Sequence, residues 1–97
     1  MRFDPKVVAA SEWFTLDFTR QLAVGETLVT PGTTTVTVVQ GVDATPGNMI
    51  SGSAVVNGSK VSQLLIGGIA GVWYRFTFSS TTSNSQTLAE TCDLVVR

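Results

Sequence analysis

A chain of 97 residues with no histidine, one cysteine and a net charge of −1 leaves few chemistries open. The missing histidine removes the commonest general base and metal ligand, and with it Ser-His-Asp and Cys-His nucleophilic sites. One cysteine forbids an intramolecular disulfide, and six scattered basic residues give no electrostatic case for nucleic acid or an anionic membrane. The length suits a single domain, residues 1–97, that buries roughly 65% of its unfolded surface. Charged residues at 13% lie well below the usual quarter, as in a small β protein packed against other protein. No apolar run approaches membrane-spanning length. Met1-Arg2-Phe3-Asp4-Pro5-Lys6 lacks the apolar stretch of a signal peptide, so synthesis in a cytoplasm is expected.

Asp4-Pro5 reads as an extended lead-in, because the residue before proline is pushed away from helix, and Val7–Ala10 as a short edge strand. Glu12–Thr19 alternates, with Phe14, Leu16 and Phe18 on one face and Trp13, Thr15, Asp17 and Thr19 on the other, which predicts a strand. Thr19–Ala23 fits a single helical turn capped by Asp17 or Thr19. Gly25 ends it, and Glu26–Thr30 starts another strand. After the Pro31-Gly32 turn, Thr33–Gln40 is a β-branched run with Val36 and Val38 on one face and Thr35 and Thr37 on the other. Gly41–Gly47 reads as a loop with a second turn at Pro46-Gly47.

Asn57-Gly58 is the strongest hairpin signal in the chain, since a type I′ turn needs positive φ at both central residues. A two-residue turn there sets Val56 opposite Ser59, Ala54 opposite Val61 and Ile50 opposite Leu65, and opposed residues share a face. One face is then Ile50, Gly52, Ala54, Val56, Val61, Gln63 and Leu65, suited to a core. The other is polar near the turn, but Met49, Leu64 and Ile66 meet at its far end as an apolar patch. Such a patch on the outer face suggests an interaction surface.

Gly67-Gly68-Ile69-Ala70-Gly71 lacks the following helix and lysine of a phosphate loop, so it reads as a tight corner between strands. Val72–Ser79 alternates, with Val72, Tyr74, Phe76 and Phe78 inward and Trp73, Arg75 and Thr77 outward. Thr81–Ser85 is a polar tip. The last strand places Leu88, Cys92, Leu94 and Val96 on one face, with Glu90 on the same parity, either at the strand edge or beside Arg75. About seven short strands without a long helix favour an all-β, Ig-like antiparallel sandwich, with a small closed barrel as the second choice. The Cys-Trp-Cys spacing of antibody domains is absent.

The seven carboxylates are dispersed, without calcium-loop spacing, and read as solvated strand faces and turn caps, not a glycosidase pair. Cys92, inside a strand pattern, reads as a buried, inert thiol. Asn57-Gly58-Ser59 matches a glycosylation sequon, but the turn accounts for its asparagine. Trp13 and Trp73 both fall opposite the inferred core. They suit a protein interface, a sugar-stacking platform, or a cover for the sandwich edge.

Asp4-Pro5-Lys6 followed by Leu16-Asp17-Phe18-Thr19-Arg20-Gln21-Leu22-Ala23-Val24-Gly25-Glu26-Thr27-Leu28 resembles the start of small Ig-like virion proteins of tailed phages. The second half is similar too: Val61–Gly68 as an apolar strand ending in Gly-Gly, Gly71–Phe78 as a strand centred on Tyr74, and a closing strand ending Leu94-Val95-Val96-Arg97. Thr30–Gly47 matches least, and the family often has tryptophan where Phe18 and Gln21 stand. The resemblance implies a virion structural protein, made in the host cytoplasm, with no catalytic residue and no cofactor or metal. First among its implied roles is an adaptor joining tail or neck to fibres, with other virion proteins as partners and multiple symmetric copies; head decoration comes second. Trp13, Met49, Leu64, Ile66 and Trp73 are the expected contact residues, with free edge strands as further docking sites. A carbohydrate-binding module for host attachment is the alternative from another class, and it requires Trp13 and Trp73 to form one exposed platform.

Overall fold

Strand-forming alternation is realised seven times in the computed structural model, which describes residues 3–97. The strands are β1 (Glu12–Asp17), β2 (Leu28–Pro31), β3 (Thr35–Gln40), β4 (Ile50–Asn57), β5 (Lys60–Leu65), β6 (Trp73–Thr82) and β7 (Thr87–Val95). One sheet has the order β1-β5-β4; in the other, β6 pairs with β7 along one edge and with β3 and then β2 along the opposite edge. All these pairings are antiparallel. The layout is that of an immunoglobulin sandwich, with β1, β4 and β5 in the places of strands B, D and E and β3, β6 and β7 in those of C, F and G. The expected all-β, Ig-like sandwich is therefore what the chain forms.

The core lies between the sheets and follows the expected parity. Phe14 and Leu16 from β1, Val61 and Leu65 from β5, Tyr74, Phe76 and Phe78 from β6, and Cys92 and Leu94 from β7 are all buried. Burial pushes the Cys92 thiol pKa up, as expected of an inert cysteine. The helical turn near residue 20 is present as a 3-10 turn, Thr19–Gln21, with the Thr19 N–H donating to Asp17 Oδ1 at 2.9 Å.

The central hairpin turns one residue later than expected. Asn57 pairs with Lys60, Val56 with Val61 and Val55 with Ser62, so Gly58 and Ser59 are the loop. Only Gly58 among these has positive φ, at +63°, which fits a type II′ turn with glycine first instead of a type I′ turn. Farther along, Ile50 does face Leu65, because β4 carries an irregularity between Ser51 and Val55 with Gly52 at φ +68°. The displacement near the turn is two residues, an even number, so no side chain changes face.

Gln63 explains how the interrupted stretch of β4 is tolerated. Its amide is buried and donates to the carbonyls of Ser51 (2.9 Å) and Gly52 (3.3 Å). Its oxygen accepts from the Thr34 hydroxyl at 2.9 Å, so one side chain replaces missing ladder bonds and ties the two sheets together. Other corrections concern strand ends. Val7–Ala10 form no strand; the edge pairing there is a parallel bridge between Lys6 and Val96. The Pro46-Gly47 turn is a 3-10 turn running to Met49. β2 begins at Leu28, because Glu26 is turned inward, where it accepts from the Thr82 hydroxyl (2.6 Å) and the Ala23 N–H (2.9 Å).

Tyr74 stands one residue into β6, and its hydroxyl reaches back across the loop before the strand. It accepts from the Ile69 N–H at 3.0 Å and donates to Asp43 Oδ2 at 2.6 Å. This is the tyrosine-corner arrangement of Ig domains, here joining two loops at one end of the sandwich. Burial first, and the bond to Asp43 second, push the phenol pKa up to about 12. Tyr74→Phe removes both bonds and leaves their partners short, so a loss of about 1–3 kcal/mol in urea unfolding is expected, with the β-sheet circular-dichroism signal retained.

The Glu26 carboxylate is held below the ordinary glutamate range, first by the Thr82 hydroxyl and then by the Ala23 N–H. A depressed folded-state pKa contributes stability that is present above the unfolded value, about 4.3, and is lost as pH falls through the folded one. Glu26→Gln is therefore expected to lower the melting temperature at pH 7 and to flatten its decline below about pH 4. Parallel acid limbs for the two proteins would contradict this.

Candidate docking surface

The residues singled out from the sequence do not gather in one place. Trp13 lies on the outer face of the β1-β5-β4 sheet and is 56% exposed. It stands opposite Leu64, which in turn stands opposite Ser51. The next row is Thr15, Ser62 and Val55, with Val55 also exposed. Ile66 follows β5 directly, half-buried, with its N–H donating to the Met49 carbonyl at 2.8 Å. Leu64 is half-buried as well, outside the core shared by Ala54 and Val61.

Met49 departs from the expected patch. It is 1% exposed, because it belongs to the 3-10 turn Pro46–Met49 and strand parity begins only at Ile50. Its Cε and Sδ lie 3.1 and 3.2 Å from where a Cβ on Gly68 would stand, and Gly68 has φ +96°. A glycine is needed there both for the backbone and for the space Met49 fills.

Trp73 lies on the outer face of the other sheet, half-buried, opposite Val95 on β7 and Gln40 on β3. Trp13 and Trp73 thus look out from opposite faces of the sandwich, and the single aromatic platform required for sugar stacking is not formed. Beside Trp73, Arg75 and Asp93 are directly opposed and form an ion pair at 2.8 Å. The Arg75 guanidinium holds the Asp93 carboxyl below the usual carboxylate range. Of the two places expected for Glu90, the strand edge holds: it lies on the edge strand β7, where it accepts from the Gln21 amide.

The Trp13 face costs little to dehydrate. Thr15 Oγ1 and Ser62 Oγ are hydrogen-bonded to each other at 2.7 Å, so those hydroxyls keep a partner when water leaves. The charges on this face, Asp17 and Lys60, sit opposite one another at the turn end. Asp17 also accepts from Thr19 and Ser59, and the Thr19 hydroxyl is the main cause of its lowered pKa.

Besides Val24, Val29 and Val39, four exposed apolar residues outside the expected contacts fall close together: Val7, Val8, Val42 and Ile69. They sit in turns and loops at the end of the sandwich where β1 and β6 begin, the end that Ile66 also reaches. Val8 is held there by its N–H to the Arg97 carbonyl (3.3 Å) and Ile69 by its N–H to Tyr74. The available signal was an apolar residue inside each glycine- or turn-rich stretch, Gly41-Val42-Asp43 and Gly68-Ile69-Ala70, where a polar one is usual.

A depression of about 510 Å³ is lined by Asp17, Thr19, Arg20 and Glu90, bringing two carboxylates near each other. Both are engaged as described, and Asp17 is shifted downward, opposite to the raised acid that glycoside cleavage needs. Among the described residues no group of three or more His, Cys, Asp or Glu side chains is placed to hold a metal ion. No helix among them is long and apolar enough to cross a membrane.

A family model described as podophage GP4 fiber-tail adaptor protein gp77 matches residues 6–95 of the chain. No curated protein and no solved structure matches it.

The unequal placement of the two tryptophans has a spectroscopic consequence. Trp13→Phe is expected to remove a red-shifted, acrylamide-quenchable emission component and to change stability by less than about 0.5 kcal/mol. Trp73→Phe is expected to leave that component in place. Equal quenching of the two single-tryptophan proteins would contradict the assignment of Trp13 to an open face.

Proposed function

The chain belongs to the podophage GP4 fiber-tail adaptor protein gp77 family, a family of phage structural adaptors, and from that membership we propose that it is a non-enzymatic Ig-like module joining tail and fibre proteins in the virion. The single observation carrying this reading is the family match, which spans nearly the whole chain. It ranks tail–fibre joining ahead of head decoration. The chain acts as a single domain, synthesised in the host cytoplasm and built into the particle in symmetric copies. Neither nucleic acid nor membrane is a partner.

Docking uses the outer face of β1-β5-β4, with Trp13 as anchor and Leu64 and Ile66 beside it, extended by Val7, Val8, Val42 and Ile69 at the adjoining end. Trp73, on the opposite face, serves a second contact. The support is physical: an exposed tryptophan next to aliphatic groups, on a face where the Thr15 and Ser62 hydroxyls pair with each other, is the composition that anchors interfaces. Burying each such side chain is worth roughly 1.5–3 kcal/mol before association costs, and repeated copies add avidity.

The test is binding of the purified chain to purified tail and fibre proteins. Trp13→Ala with Leu64→Ser is expected to weaken binding to one of them by roughly tenfold or more, the loss of about 1.4 kcal/mol or greater, with the circular-dichroism spectrum and unfolding midpoint little changed. Undiminished binding would remove this face from the proposal. Binding to host glycans but to neither virion protein would favour the carbohydrate reading.

A further inference from the structure

Residues 3–8 close one seam of the sandwich as an arm laid parallel to the end of β7. The N–H groups of Phe3, Lys6 and Val8 donate to the carbonyls of Asp93 (2.8 Å), Val95 (3.0 Å) and Arg97 (3.3 Å), and the Arg97 N–H donates to the Lys6 carbonyl (2.7 Å). Three residues of the arm span two of β7 between the first pair of bonds, so Asp4-Pro5 bulges outward. The Phe3 ring enters the core, 4.8 Å from the Phe14 ring on β1 and 6.0 Å from the Phe78 ring on β6, and so touches both sheets. The Lys6 side chain is fully buried. Its amine donates to the carbonyls of Gly67 (2.8 Å) and Val7 (2.9 Å), with Val8 farther at 3.4 Å. A slip of the arm by one residue would take the amine from the Gly67 carbonyl, its one acceptor outside the arm, and a buried charge that loses a partner is costly. Lys6 therefore fixes the arm's register.

The acceptor is specific: an aromatic residue, then a lysine three positions on, in an extended segment. The segment of known sequence with that chemistry is the arm itself. A parallel strand has no hairpin to tether it, and the link to β1 is short. The chain turns sharply after Val8, with the Ala10 N–H donating to the Val7 carbonyl at 3.1 Å, and crosses to the other sheet by Glu12.

We propose that residues 3–8 are an exchangeable strand: the edge of β7, the slot between Phe14 and Phe78 and the Gly67 carbonyl accept this arm from a second copy of the chain as well as from their own. The contacts are the same in both arrangements and cancel, so the balance rests on the hinge and on concentration. Straightening the turn at residues 7–10 relieves a short reversal, the situation that invites exchange. Close-set copies supply the effective concentration, and for that factor alone the inference rests on the multi-copy reading above.

The test uses full-length chains in a Cys92→Ala background, one carrying V7C and the other R97C, both positions exposed and flanking the Lys6–Val96 bridge. The two are mixed, unfolded, refolded together at high concentration and oxidised. The expected result is a disulfide-linked V7C–R97C heterodimer in roughly tenfold excess over either homodimer. Inserting Gly-Gly-Ser between Ala9 and Ala10 in both chains, which relaxes the hinge, is expected to reduce that product roughly tenfold. In a double V7C/R97C chain the same insertion should give an internal disulfide instead. Heterodimer no more abundant than the homodimers overturns the proposal, whether or not the double chain closes on itself. Because no tail or fibre protein is present, failure here leaves the adaptor reading to its own experiment.

Discussion

Tyr74, Phe76 and Phe78 are fully buried on one face of β6, and a strand carrying three rings on one side must be flanked along both edges and roofed by a second layer. Each ring gives roughly 2–3 kcal/mol when buried, which makes this strand the largest single contributor of core area. β7 supplies one flank along nearly the whole length of β6. The other flank is shared by β3 and β2, because Pro31-Gly32 interrupts a run that would otherwise cover it alone. The polar hydroxyl of Tyr74 turns the same constraint into loop order, since its two partners fix the segments around Asp43 and Ile69. The glycine-rich corner before β6 is thereby held although it has no regular structure of its own.

Local parity was legible in the chain, and long-range assignment was not. The inward sets along β1, β6 and β7 could be read directly, because side chains alternate strictly in a strand and the core must lie on one side. The hairpin at Asn57-Gly58 was assigned the wrong turn type, yet its faces came out right because the displacement was even. Gly52 was the visible hint of the irregularity that restores the register farther along, an isolated glycine inside a strand pattern. Met49 failed for the opposite reason: parity was carried one residue past the start of β4, into a turn where it has no meaning. Trp13 and Trp73 show the deeper limit. Alternation tells which way each points from its own strand, but whether the two strands share a sheet depends on long-range pairings such as Trp13 with Leu64 and Trp73 with Gln40. The inward turn of Lys6 had no sequence signal, since a lysine near a proline at the start of a chain is ordinarily solvated.

Edges decide how such a sandwich meets other chains. The far edge of β7 is occupied by the N-terminal arm over Asp93–Arg97 and by the Gln21 amide at the Ala89 carbonyl, 3.2 Å away. That cover blunts a ladder otherwise free to pair with another strand. β4 is irregular between Ser51 and Val55, which disfavours continuous strand addition on its outer side. Side-chain contacts on a sheet face are therefore the mode of docking proposed above, and pairing along β7 is confined to whatever the arm releases.

The size of that face sets how it can work. Three strands about 4.8 Å apart and six residues long at about 3.4 Å each present roughly 300 Å² in projection, against about 800 Å² per partner in a standard stable interface. One face with one tryptophan is therefore too small to hold a partner firmly by itself. Adding the exposed valines and Ile69 at the adjoining end turns the footprint around a corner of the sandwich, which suits a socket better than a flat surface. Even so, the gain over association costs stays modest, and firm attachment through the proposed face would depend on several copies engaging at once. On the proposed docking, such an adaptor would be weak as a single copy and strong as several, and a segment that can be shared between neighbours would be one way for a small β-sandwich to hold those copies together.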